Sequence, residues 1–368
     1  MRHTTQRAIG FIGGALGAAA VLTSCTQFAK AGFEADRAAE RDEATTMFSL
    51  ASITRGVTSV VSTKTMSLAL DRIDQRQLPL DATYRRSGSG RGVTVYVFDG
   101  GVSPTHPELA GRVRVGYTAF PNDPKICNAH GTAVAGAIAG ATLGVAPEAE
   151  IVDVKMVQCG SLRGTIKGIV DGAKWTIEDH KVRGGPAIAN WSFIADTAQD
   201  IPALDSAVAH LRAAGISVIV SAGNLNQNAC RISPANAVGT IVVGASAVAI
   251  DSTGGVRTTS DVRAPNTAWG PCVDVFAPGD SVMLPSLDPT FKPISQLWNG
   301  TSMSAGYVSG AAALFLESAP TATPDEVSDW VHRSATPGVI RNAGGEAGRL
   351  LFVGVARAER TIASNRVR

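Results

Sequence analysis

Apolar residues fall into two alternating patterns along most of this chain. Short runs rich in β-branched and aromatic residues lie at Val93–Phe98, Ile151–Lys155, Ala187–Phe193, Ser217–Ser221 and Thr240–Gly244. Their length and composition predict buried strands. Between them, Thr132–Gly140, Thr165–His180, Ala203–Ala214 and Met303–Glu317 have helical spacing. Pro324-Asp325-Glu326 opens a further helix through Val331, with proline and acids in its first turn. Arg85–Arg91 carries Ser-Gly-Ser-Gly and predicts a surface loop. Alternating strand and helix units predict a mainly parallel sheet with helices on both faces, and such sheets gather their sites at the carboxyl ends of strands.

The N-terminus breaks this pattern. Arg2 and Arg7 precede an uncharged run of fifteen residues, Ala8–Leu22. That run is short for a membrane span and suits the apolar region of an export signal. It ends in Leu22-Thr23-Ser24-Cys25, which resembles a bacterial lipobox, so residues 1–24 read as a lipoprotein-type signal peptide and Cys25 as the lipidated residue. An ordinary signal peptide cut nearby is the alternative. Residues 25–67 are largely polar and read as a tether or short propeptide, and the folded domain is expected over residues 68–368.

Composition narrows the classes. Of 368 residues, 45% are hydrophobic and 17% charged, which suits a packed core and excludes a disordered chain. A net charge of +2 gives no electrostatic case for nucleic acid. Apart from Cys25 there are four cysteines, Cys127, Cys159, Cys230 and Cys272. An even number in an exported chain predicts two disulfides, with three pairings open.

Three separated fragments carry candidate chemistry: FDGGVSPTHPEL around Asp99, NAHGTAVAG around His130 and NGTSMSAG around Ser302. Singly, each has an ordinary explanation: an Asp-Gly turn, a surface histidine, a capping serine. Together they supply a carboxylate, an imidazole and an alcohol in one of the three chain orders in which that triad occurs. Asn224, in SAGNLNQ, adds a side-chain amide suited to an oxyanion.

With AIANWSF and VSAGNLNQNACRISPA, these motifs make the chain, from about Leu68 to about Val355, resemble the subtilisin-like serine peptidases, in particular their proteinase K and aqualysin branch. The resemblance implies a three-layer α/β/α sandwich and a serine endopeptidase acting through an acyl-enzyme. In that reading Ser302 is the nucleophile, His130 the general base and then acid, and Asp99 the orienting carboxylate. Asn224 and the Ser302 N–H form the oxyanion hole. It also implies the pairings Cys127–Cys159 and Cys230–Cys272, and a structural calcium ion held by Asp274 and the carbonyls of Val238 and Thr240. No cofactor is expected for catalysis. The expected partners are a polypeptide substrate and, through the anchor on Cys25, the membrane; the chain is expected to be a monomer, exported to the cell envelope or secreted.

The substrate cleft is expected along Ser192 and Phe193 on one side, Ser221, Ala222 and Gly223 on its floor, and Gly160 on the opposite edge. Relatives carry glycines where Phe193-Ile194 follow Ser192, so those side chains are expected to crowd or reshape the pocket wall. The unusual wall also motivates a rival reading, a non-catalytic envelope protein that binds peptide on the same fold. An esterase using the same residues lacks the G-x-S-x-G elbow.

Overall fold

In a computed structural model the described residues are 60–195, 201–248, 261–344 and 348–354. The predicted leader, Cys25 and most of the 25–67 segment lie outside them. In chain order the main strands are β1 (Val60–Lys64), β2 (Thr83–Ser87), β3 (Thr94–Asp99), β4 (Val113–Thr118), β5 (Glu150–Lys155), β6 (Val157–Gln158), β7 (Arg163–Gly164), β8 (Ala187–Trp191), β9 (Ile216–Ser221), β10 (Ile241–Val248), β11 (Asp261–Arg263), β12 (Val275–Pro278), β13 (Val282–Leu287), β14 (Pro293–Trp298) and β15 (Ile340–Arg341). The helices are α1 (Leu68–Ile73), α2 (His130–Ala139), α3 (Ile166–Arg183), α4 (Pro202–Ala213), α5 (Thr301–Ser318) and α6 (Pro324–Ser334).

The central sheet runs β15-β11-β10-β9-β8-β3-β5-β4, with β12 also paired to β10. Every pairing in it is parallel except β10 with β11. Alternate residues of its strands feed two cores. Val95 and Val97 face α2, α5 and α6, whereas Tyr96 and Phe98 face α3 and α4. The period of two in a buried strand thus produces the three layers. The chain leaves β3 toward β4 and β5 on one side and later returns to β8 on the other, so the order reverses at β3. A crevice is expected at the carboxyl end of such a strand, and Asp99 is the last residue of β3.

One local difference from the sequence reading has a simple cause. Arg85–Ser87 belongs to β2, which pairs antiparallel with β1, so the Arg85–Arg91 loop is shorter than expected. That partner strand lies upstream of Leu68, where the domain was expected to begin. Helix α2 begins at His130, whose N–H donates to the Asn128 side chain at 2.9 Å. Among the described residues no helix is long and apolar enough to cross a membrane.

Candidate active site

Asp99 is buried at the end of β3, and its two oxygens are both used. Oδ1 accepts the Gly100 N–H at 2.7 Å and Oδ2 lies 2.7 Å from His130 Nδ1. Gly131 makes this approach possible: a Cβ there would sit 2.6 Å from the Gly101 carbonyl and 3.0 Å from Asp99 Cβ. His130 is one-third exposed, with Nδ1 tied to Asp99 and its ring edge-on to Trp298 at 6.1 Å. Burial works to lower the imidazole pKa, but the Asp99 charge and hydrogen bond outweigh it, and the net shift is upward.

Ser302 is positioned by helix packing. A Cβ on Gly306 would meet the Val134 carbonyl at 3.0 Å, and one on Gly310 would meet the Ile138 carbonyl at 2.9 Å. Each step of four residues along α5 therefore matches a step of four along α2. The two helices run parallel, and one turn earlier this register brings Ser302 level with His130. Only glycine lets the backbones close to this distance. The Ser302 hydroxyl donates to the Ser192 carbonyl at 3.3 Å, and the side chain is buried. The Ser302 N–H, in the first turn of α5, takes no acceptor among the described residues.

Asn224 lies just past β9. Its Oδ1 accepts both the Thr301 N–H, at 2.9 Å, and the Thr301 hydroxyl, at 3.0 Å. With the oxygen so held, Nδ2 is turned to the Gly300 side, where a Cβ would come within 3.2 Å of it. Gly300 has φ 135°, a conformation that favours glycine. Thr301 also accepts the Gly223 N–H at 3.2 Å. Sequence reading did not single out Thr301, whose role is to orient another side chain. Nor did it find the buried chain beneath the site. Ser309 donates to Asn190 Oδ1 at 3.0 Å, Asn190 Nδ2 donates to Ser192 Oγ at 2.8 Å, and Ser192 Oγ donates to the Ser302 carbonyl at 3.1 Å. Two polar residues inside the AIANWSF strand pattern were the available signal.

The expected cleft residues occupy two places. Ser192, Phe193, Ser221, Ala222 and Gly223 come together beside Ser302: the Ser221 hydroxyl donates to the Phe193 carbonyl at 3.3 Å, and Trp191 and Phe193 stack at 5.3 Å. Gly160 sits in the exposed β6–β7 hairpin, on the Gly100 side of the site. Both implied disulfides are formed, Cys127–Cys159 and Cys230–Cys272, with Cα separations of 4.6 and 5.2 Å. The first joins that hairpin to the segment before His130.

The residues expected to hold calcium make the following contacts. Asp274 Oδ2 accepts the Val242 N–H at 2.8 Å, and Oδ1 lies 2.9 Å from His332 Nε2. Arg212 donates to the Gly239 carbonyl at 2.6 Å, between Val238 and Thr240, and Val238 is exposed. Calcium takes six to eight oxygen ligands. Each Asp274 oxygen already has one partner, and the Arg212 guanidinium lies on the carbonyl between the two implied carbonyl ligands.

A parallel sheet with a carboxylate–imidazole pair at its switch point, and a serine at the head of a glycine-packed helix, defines a class that comparison with known proteins identifies. Residues 90–355 match the subtilase family of S8 peptidases, and the chain belongs to that family. It is 39% identical to an extracellular serine proteinase of Thermus sp. (strain Rt41A) over 77% of this chain and 65% of the relative. It is also 39% identical to alkaline serine exoprotease A of Vibrio alginolyticus, over 77% of this chain and 49% of that protein. The chain thus spans less than two thirds of the length of these relatives. The crystal structure of a cold-adapted subtilisin-like serine proteinase superposes with a TM-score of 0.68 at 37% identity, covering 78% of this chain and 98% of that one.

Proposed function

We propose that this protein is an exported serine endopeptidase. The observation that carries the reading is the Asp99–His130 pair at 2.7 Å, with the α2–α5 register bringing Ser302 alongside. A χ1 rotation turns the Ser302 hydroxyl from the Ser192 carbonyl toward His130 Nε2. As Oγ attacks a peptide carbonyl carbon, His130 takes its proton, and Asp99 holds the tautomer and stabilises the imidazolium. The oxyanion is received by Asn224 Nδ2 and the Ser302 N–H. Collapse expels the amine, which takes the proton from His130, and water then hydrolyses the acyl-enzyme by the same route. The reaction contains no step through a metal ion. Peptide is bound by strand addition, along Ser192–Phe193 over the Ser221–Gly223 floor, with Gly160 on the facing edge. A peptide-binding scaffold would have no use for a buried carboxylate aimed at an imidazole, nor for an amide oriented by Thr301.

Export is supported by the apolar leader, by two disulfides and by a relative named as extracellular. Lipidation at Cys25 would tether the enzyme to the envelope as a monomer, and intact mass of the mature protein tests it. The hydrolase reading is tested with a fluorophosphonate probe. Wild type is expected to be labelled and to cleave casein, and Ser302→Ala to do neither. Equal labelling of both proteins would refute it.

A further inference from the structure

We infer that Ile194 closes the pocket for the residue whose carbonyl is attacked, restricting cleavage to sites after glycine or alanine. This rests on the endopeptidase reading above and adds its substrate class. Two segments diverge from the nucleophile. Ser192 touches it through its carbonyl, and Gly223 is joined to the head of α5 through Thr301. Asn224, the oxyanion donor, directly follows Gly223. A peptide whose carbonyl carbon meets Ser302 Oγ, with its oxygen on Asn224 Nδ2, therefore lies along residues 192–194. The side chain beside that carbonyl then enters the gap between Ser192–Ile194 and Ser221–Gly223.

Ile194 fills this gap. A Cβ built on Gly223 would lie 3.3 Å from Ile194 Cγ2 and 3.4 Å from Ile194 Cδ1, so the branched side chain rests on the glycine that should leave the floor open. Ile232 Cδ1, at 3.4 Å from the same point, backs it. The backbone that carries the side chain is pinned on both sides of it. The Phe193 carbonyl accepts the Ser221 hydroxyl at 3.3 Å, and the Ala195 N–H donates to the Ser233 carbonyl at 2.8 Å. β-Branching leaves isoleucine little χ1 freedom to yield, and forcing extra carbons into a packed site is costly. Gly223 itself has φ 105°, so the floor cannot be reshaped by another residue without strain.

The test is a peptide series, identical except for Gly, Ala, Leu or Phe before the scissile bond, assayed by kcat/KM with wild type, Ile194→Val and Ile194→Gly. Wild type is expected to favour Ala over Phe by at least about tenfold, the scale on which a pocket discriminates by size. Ile194→Gly is expected to raise the Phe-to-Ala ratio by about tenfold or more, with Ile194→Val between them. Wild type that cleaves after Phe as readily as after Ala overturns the inference, whatever the variants do. Unchanged ratios in a folded Ile194→Gly enzyme overturn it as well. Folded wild type that cleaves no peptide in the series refutes the hydrolase reading itself, a result distinct from broad cleavage.

Discussion

Asp153 gives a stability prediction opposite in sign to that of an ordinary carboxylate. It lies on β5 opposite Val97, is 3% exposed, and its Oδ1 has no hydrogen-bond partner. Burial pushes its pKa up from 3.8 to about 7; the Val102 N–H and Lys155 oppose the shift and the Asp99 charge adds to it. The folded protein therefore keeps a proton on Asp153 between about pH 4 and 7, where the unfolded chain has already lost it. The native state binds more protons in that window, so stability falls as pH rises. From pH 5 to pH 7.5 the loss attributable to this one group is about 2–3 kcal/mol. Asp153→Asn keeps the shape, retains an acceptor for the Val102 N–H and cannot ionise. Urea unfolding at the two pH values, with Ser302→Ala in both proteins to suppress self-cleavage, isolates the effect. Other titrating groups, Asp74 among them, are common to both and cancel. The Asn variant should gain on the parent by about 2–3 kcal/mol between pH 5 and 7.5. A difference that stays constant with pH, or that moves in the parent's favour, would show that Asp153 is already ionised in the folded protein.

Three further outcomes follow from the site. Asn224→Ala should lower kcat by about 10²–10³ with little change in KM, because the donor acts on charge that appears only in the transition state; a pure KM effect would remove Asn224 from the oxyanion hole. His130 must be neutral to accept the Ser302 proton, and its pKa is raised. Activity should therefore be lost, as pH falls, at a value above the ordinary imidazole midpoint, and an acid limb of kcat/KM below that midpoint would contradict the Asp99 coupling. The melting temperature of the Ser302→Ala protein should change little between excess EDTA and millimolar calcium, because Asp274 is already held by Val242 and His332; a calcium-dependent rise of several degrees that Asp274→Asn abolishes would show the ion held there.

Much of this protein is set by local sequence. The β-branched runs that became β3, β5, β8, β9 and β10 are buried on both faces and needed no alternation to be recognised. Helix α6 carries its own start signal, a capping box between Thr323 and Glu326. Asp99, His130 and Ser302 were readable because each sits at an element boundary, where the residue types that the chemistry needs stand beside glycines that the backbone needs. What the chain alone left open depends on which distant groups become neighbours. The strand β1 is short and mostly exposed, so only its pairing with β2 identifies it. Nothing near Asp274 in the chain shows that folding places His332 beside it. The tertiary structure likewise decided the level of Ser302 against His130, through two helices interlocked at Gly306 and Gly310, and the orientation of Asn224, through Thr301. Ile194 shows the same division. Its size is written in the sequence, but whether that bulk narrows a pocket depends on its resting on Gly223, a contact between segments that neither segment's own residues encode.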